Sequence, residues 1–159
     1  MAKIIDINQL DEILPEIKQA AKTVLVGGCF DVLHAMHVEY LHLAKQQGQR
    51  LIVAVNDDAS ITRLKGKGRP VNKLEHRMAV LAGLQSVDWV VSFDDDTPRR
   101  LLELLKPEIL AKGGDYSLDG VVGADVVESY GGKVVVLGGV AEGVKSSAII
   151  ERMKTRKGE

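Results

Sequence analysis

Short β-branched, apolar runs alternate with segments of helical period along almost the whole chain, and this alternation restricts the fold more than any other feature. Residues 23–26, 51–56, 89–93, 109–112 and 133–137 read as strands. The run 51–56 is β-branched and apolar, as a strand covered on both faces is. Helical spacing of apolar positions follows in 38–47, 74–84, 122–130 and 146–154, and in a helix opened by Thr97 as N-cap and Pro98 as first residue, with Leu101, Leu102, Leu104 and Leu105 on its buried face. Repeated strand–helix units of this length predict a parallel sheet with right-handed crossovers. The expected fold is α/β and Rossmann-like: a five-stranded parallel sheet with helices on both faces. The chain of 159 residues suits one domain. Leu10, Ile13, Leu14, Ile17 and Ala21 recur at helical spacing, so residues 1–22 are expected as an N-terminal helical cap. Residues 23–155 then form the main domain and 156–159 a C-terminal tail.

Open parallel sheets bind ligands beyond the C-terminal strand ends, where the strand order reverses, and the residues able to do chemistry collect there. After the first strand comes Gly27-Gly28-Cys29-Phe30-Asp31-Val32-Leu33-His34-Ala35-Met36-His37. After the second come Asn56, Asp57 and the basic stretch from Arg63 to Pro70. Lys112-Gly113-Gly114-Asp115-Tyr116 follows the fourth, and Gly138-Gly139 with Glu142-Gly143-Val144-Lys145-Ser146-Ser147 follows the fifth. A helix N-terminus offers unpaired N–H groups and partial positive charge to an anion. His34 and His37, at the mouth of the first strand-to-helix turn, add donors or charge. Glycines allow backbone to approach phosphate oxygens, lysines and arginines supply charge, and Ser146 and Ser147 add hydroxyls at the last helix start.

Other readings of these residues stand beside the phosphate one. Two histidines at i and i+3 share a helix face and would suit a metal. No Glu directly follows His34, however, and the single cysteine, Cys29, lies at no ligand-like spacing, so no metal site is expected. Both histidines also fit a purely structural role, and the basic stretch fits a solvated loop. Asp31 could pin its own glycine turn. Cys29 reads as a small buried residue rather than a nucleophile, and His42 and His76 as surface or packing residues. The dinucleotide glycine spacing is absent. The run from Gly139 to Ser146 nearly spells a P-loop, but Val144 replaces its second glycine and little chain follows it.

Composition excludes several classes. A net charge of −1 leaves no electrostatic footprint for nucleic acid, and 4% aromatic residues provide no stacking platform for single strands. No apolar stretch approaches the roughly 20 residues that span a bilayer. The N-terminal residues lack a signal-peptide pattern, and one cysteine fits a reducing, cytoplasmic setting. Neither nucleic acid nor membrane is an expected partner.

The segment from Gly28 to His37 resembles the G-x-F-D-x-x-H-x-G-H signature of the cytidylyltransferase-like nucleotidyltransferases. Further stretches are similar to the heptose 1-phosphate adenylyltransferase subgroup: Arg63-Leu64-Lys65-Gly66, Gly68-Arg69-Pro70-Val71-Asn72, Glu75-His76-Arg77, Val87-Asp88-Trp89-Val90-Val91, Asp96-Thr97-Pro98 and Lys112-Gly113-Gly114-Asp115-Tyr116. The resemblance implies that residues 23–155 are a nucleotidyltransferase domain. It would join ATP to D-glycero-β-D-manno-heptose 1-phosphate, giving ADP-heptose and pyrophosphate for lipopolysaccharide core assembly. It further implies catalytic roles for His34, His37 and Lys65. Gly28, Cys29 and Phe30 would lie against the nucleotide. Lys112, Gly113 and Asp115 would shape the nucleoside pocket, and Gly143, Ser146 and Ser147 would hold the β- and γ-phosphates. Mg2+ would be carried by ATP, and the assembly would be a homodimer or larger. Within the same superfamily, a glycerol phosphate cytidylyltransferase and a flavin adenylyltransferase are the alternatives. Four positions depart from the pattern: Met36 stands where the signature has glycine, and Val26, Gly27 and Lys145 where the subgroup has threonine, asparagine, and serine or threonine. Met36 either swings aside or obstructs the site, and the second case would make the chain a nucleotide-binding homologue of impaired activity.

Overall fold

The computed structural model describes residues 1–114, 120–137 and 144–156. Its strands are β1 (Lys3–Ile5), β2 (Thr23–Gly28), β3 (Arg50–Asn56), β4 (Trp89–Phe93), β5 (Ile109–Gly113) and β6 (Lys133–Leu137). They form one sheet in the order β1-β4-β3-β2-β5-β6, every neighbouring pair parallel. The helices are α1 (Leu10–Gln19), α2 (Ala35–Gln46), α3 (Asp58–Lys65), α4 (Leu74–Ala82), α5 (Arg99–Leu105), α6 (Ala124–Ser129) and α7 (Ser146–Thr155), with a 3-10 turn at Ile7–Gln9.

Strand side chains alternate between two cores, as the two-residue period of a strand requires. Leu25, Ile52, Ala54, Trp89, Val91 and Leu110 face α1, α5 and α6 through Leu10, Ile17, Leu101, Leu102, Leu105, Val126 and Val127. Val24, Val26, Leu51, Val53, Val55, Val90 and Ala111 face α2 and α4 through Leu41, Ala44, Met78 and Leu81. Helices therefore cover both faces of a parallel sheet, as expected. No helix among the described residues is long and apolar enough to cross a membrane.

Three local expectations are corrected. The sheet has six strands, not five, because Lys3–Ile5 pairs with β4 at the edge, Lys3 opposite Trp89 and Ile5 opposite Val91. The basic stretch after β3 is not a loop from its start, since Arg63, Leu64 and Lys65 form the last turn of α3. That helix is capped by Asp57, whose carboxylate accepts from the Ser60 N–H at 2.8 Å, and it buries Ile61. It stops at Gly66, whose φ of +93° is open to glycine and costly for other residues. The N-cap of α5 is Pro98 rather than Thr97, and the helix begins at Arg99.

β2 lies between β3 and β5. The chain leaves β2 towards β3 and β4, then crosses back to place β5 on its other side. The strand order thus reverses at the C-terminal end of β2, where doubly wound sheets open a crevice. Gly28 ends β2, and Lys112 and Gly113 end β5, on the two sides of that crevice.

Candidate functional site

Beyond Gly28 the backbone turns sharply. Phe30 takes φ +48°, in the left-handed region, and folds its ring back over Gly28. A Cβ on Gly28 would lie 3.0 Å from Phe30 Cε2, so a larger residue at 28 would require the ring to give way by a few tenths of an ångström. Phe30 is buried, and its ring lies 5.4 Å from that of His37 at a tilt of 56°. His37 in turn stacks on His34, ring centroids 3.9 Å apart. Both histidines sit at the start of α2, His34 as the N-cap residue and His37 in the first turn. The His34 backbone N–H donates to Nδ1 of His37 at 3.2 Å. An Nδ1 that accepts is unprotonated, so the neutral ring carries its proton on Nε2. Burial, with the nearby charges of His34 and Lys65, pushes His37 down to about 4, and burial also lowers His34. At neutral pH the pair is uncharged and stacked at a helix N-terminus, a surface ready to gain positive charge when an anion arrives.

Asp31 does not pin its own glycine turn, contrary to one reading of the sequence. Its fully buried carboxylate reaches across to the segment after α3, accepting from the N–H groups of Val71 and Asn72 at 2.8–3.0 Å and from Arg69 Nε at 2.8 Å. The Asn72 amide returns a bond to the Asp31 carbonyl at 2.6 Å. Burial alone would raise the Asp31 carboxyl, but the Asn72 and Val71 amides and the Arg69 guanidinium hold it below the ordinary carboxylate value. The histidine loop is thereby tied to the end of the basic stretch. Lys65 is exposed at the C-terminus of α3, close enough to His37 for its charge to be felt there.

Arg77 locks the same corner from below. Its side chain is 0% exposed and donates to the carbonyls of Cys29 (2.7 Å), Asn56 (2.8 Å) and Asn72 (2.9 Å) and to Asp58 Oδ1 (2.8 Å). One guanidinium thus joins the ends of β2 and β3, the start of α3 and the approach to α4. Sequence reasoning left Arg77 out of the site. Its signal was there: a charged residue within the apolar stripe formed by Leu74, Met78 and Leu81. Asn56, placed by the sequence among the residues beyond the second strand, is the last residue of β3. It is 5% exposed, with Oδ1 3.9 Å from Cys29 Sγ.

On the opposite side of the crevice, Tyr40 of α2 donates its hydroxyl to the Ala111 carbonyl at 3.0 Å, and burial raises that hydroxyl's pKa. Its ring packs on Gly113, where a Cβ would meet it at 3.1 Å. A side chain at Gly113 would therefore press on the Tyr40 ring where α2 sits against the end of β5. Lys112, just before, is half-buried. The N-terminus of α7 comes to the histidine loop as well, for Ser146 Oγ donates to the Val32 carbonyl at 2.7 Å, while Ser147 is exposed. Pro98 lies over Gly27, 3.6 Å from the position of a Cβ there. Met36 is half-buried in the first turn of α2. His42 and His76 lie on exposed helix faces, as expected. Asp115 and Gly143 lie outside the described residues. Among the described residues, no three His, Cys, Asp or Glu side chains are grouped so as to hold a metal ion.

Comparison with known proteins adds three findings. Residues 25–152 match the family model described as cytidylyltransferase-like. The bifunctional protein HldE of Ectopseudomonas mendocina is 56% identical over 151 residues, and that of Azotobacter vinelandii 60% identical over 136. These alignments cover 92% and 86% of this chain but 32% and 28% of the two relatives, so the chain spans about a third of the curated proteins it matches. Among solved structures, a lipopolysaccharide core biosynthesis protein from Thermoplasma volcanium superposes with a TM-score of 0.62 at 27% identity, covering 73% of this chain and 95% of that one.

Proposed function

Since this chain belongs to the cytidylyltransferase-like family, we propose that it transfers AMP from ATP to a sugar 1-phosphate, D-glycero-β-D-manno-heptose 1-phosphate, releasing pyrophosphate and ADP-heptose. The observation that carries this reading is the stacked, neutral His34–His37 pair at the N-terminus of α2, set at the crevice between β2 and β5. Support for the acceptor comes from the HldE relatives and from the likeness to a lipopolysaccharide core biosynthesis protein.

In this mechanism an anionic oxygen of the sugar phosphate attacks the α-phosphorus of ATP. The bond from that phosphorus to the α,β-bridging oxygen breaks, and pyrophosphate leaves. The nucleophile is already ionised, so no general base is needed, and the protein contributes position and charge. The Nε2–H of His37, His34 and the unpaired N–H groups of α2 donate to the phosphate oxygens as negative charge builds on them. Lys65 neutralises charge shared between donor and acceptor. Gly28, Cys29 and Phe30 present backbone to the nucleotide, Lys112 and Gly113 border the nucleoside, and Ser146 and Ser147 face the β- and γ-phosphates; the family resemblance adds Asp115 to the nucleoside set and Gly143 to the phosphate set. Mg2+ travels on the triphosphate; the described residues form no cage for it, and no step above depends on one. A homodimer or larger assembly and a cytoplasmic location go with this reading. The test is pyrophosphate release across a matrix of ATP and CTP against heptose 1-phosphate, glycerol 3-phosphate and a flavin mononucleotide. The reading requires ATP with heptose 1-phosphate to exceed every other pairing.

A further inference from the structure

Three buried side-chain polar atoms among the described residues have no hydrogen-bond partner: His34 Nδ1, Asn56 Nδ2 and Arg69 Nη2. All three lie on segments that leave the C-terminal end of the sheet, after β2, at the end of β3 and after α3. A buried donor or acceptor left unpaired costs about 1–3 kcal/mol, and native proteins carry few of them. Three in one corner mark a place where a polar ligand completes the structure. His34 falls to the triphosphate already described. Arg69 is not accounted for.

Its guanidinium is held from one edge only. Nε donates to Asp31 at 2.8 Å, and Asp31 is itself fixed by the Val71 and Asn72 amides. The side chain is 15% exposed and stands on a rigid base, while its Nη2 is buried and unpaired. Holding Asp31 needs one N–H; the two-nitrogen end of the fork is spare. That end matches two oxygens of a phosphate monoester. Position decides which phosphate. The strand order puts β3 and the segment after α3 on one side of the histidine loop, and β5, with Lys112 and Gly113, on the other. In-line transfer requires the attacking acceptor oxygen and the departing pyrophosphate to lie on opposite sides of the α-phosphorus, and the pyrophosphate is assigned above to the start of α7.

We propose that Arg69 is an acceptor-binding residue, its free guanidinium end receiving the phosphate of the incoming sugar phosphate from the β3 side of the crevice. This rests on the nucleotidyl-transfer reading above. It also explains why the end of the basic stretch is anchored to a buried carboxylate: the anchor sets the acceptor's phosphate at a fixed place relative to His34 and His37.

The experiment compares the full chain with Arg69→Lys and Arg69→Ala. Calorimetry measures the binding of ATP and of heptose 1-phosphate separately, steady-state kinetics measures both KM values, and thermal melting monitors the fold. Lysine keeps an ion pair with Asp31 but loses the fork, so it remains informative if the alanine variant does not fold. The expected result is a rise of about tenfold or more in Kd and KM for the sugar phosphate in both variants, with ATP affinity unchanged. Unchanged sugar phosphate binding in Arg69→Lys overturns the proposal, and so does a loss of ATP affinity as large as the loss for sugar phosphate, which would assign Arg69 to the donor or to the loop alone. If the unaltered chain binds ATP but no sugar phosphate, the functional reading fails and this assignment fails with it. If the unaltered chain turns over and Arg69→Lys matches it, the assignment fails alone.

Discussion

The backbone N–H of His34 donates to Nδ1 of His37 at 3.2 Å while the two rings stack 3.9 Å apart. One contact sets the tautomer of His37, and the other keeps both rings from charging together. If the pair acts on the developing charge at the α-phosphorus, His37→Ala and His34→Ala should each lower kcat by about 10²–10³-fold, the usual cost of losing a transition-state donor. ATP affinity should fall much less. Single-turnover kinetics alongside ATP titration checks this, and normal turnover in the doubly substituted chain would contradict it.

The lowered pKa of His37 predicts a pH signature. Folding holds the group at about 4 against an ordinary value of 6.5, so the unfolded chain binds more protons between those values. Stability attributable to His37 is therefore fully present above pH 6.5 and is lost as pH falls towards 4. Denaturant unfolding of the unaltered chain should weaken more steeply across that window than that of His37→Gln. A bound triphosphate offsets the desolvation, so ATP should raise the His37 pKa, seen directly in an NMR titration of the ring. A ring that titrates near 6.5 with and without ATP would refute both statements.

Lys65 and Lys67 are both exposed and both basic, yet only Lys65 is among the charges that act on His37. Lys65→Ala should raise the KM for sugar phosphate and slow turnover, and Lys67→Ala should do less. Kinetics unchanged in both variants would return the stretch to the status of a solvated surface.

Arg77→Leu should destabilise the fold by at least about 3 kcal/mol in urea unfolding, because it strands three carbonyls that the guanidinium now satisfies. A loss below about 1 kcal/mol, the range of surface substitutions, would show that water replaces it there.

Much of this architecture was legible in the sequence because its strands are apolar, β-branched runs, most of them buried in β2, β3 and β4. β3 and β4 fall where the pattern puts them to within a residue, and β6 at its full length. The misses have physical causes. Lys3–Ile5 has only Ile5 buried, too short a run to show an alternation. In α3, Ser60 and Ile61 alone are buried, so no apolar stripe announces a helix, and its Asp57 cap looks the same as a turn residue. Within the site, the glycine–histidine segment was visible as local sequence. The Asp31–Arg69 tie spans 38 residues and the Arg77 contacts 5 to 48, pairings that no local pattern encodes.

Met36 is the position where this chain departs most from the signature it resembles. It is half-buried in the first turn of α2, the turn whose N–H groups are proposed to receive phosphate. Met36→Gly should tighten ATP binding by about ten- to hundredfold if the side chain obstructs the site, since relief of overpacking is worth about 1–3 kcal/mol. Unchanged ATP affinity and turnover in that variant would mean that methionine already turns away from the pocket.

Transfer of the α-phosphorus is the central claim, and an isotopic label follows it directly. With ATP labelled at the α-phosphorus and heptose 1-phosphate as acceptor, the label should pass into ADP-heptose with one pyrophosphate released for each product formed, and His37→Ala should slow both by about 10²–10³-fold. Label that stays in ATP or ADP, with single phosphate as the only product, would contradict nucleotidyl transfer and the roles assigned to His34, His37 and Lys65.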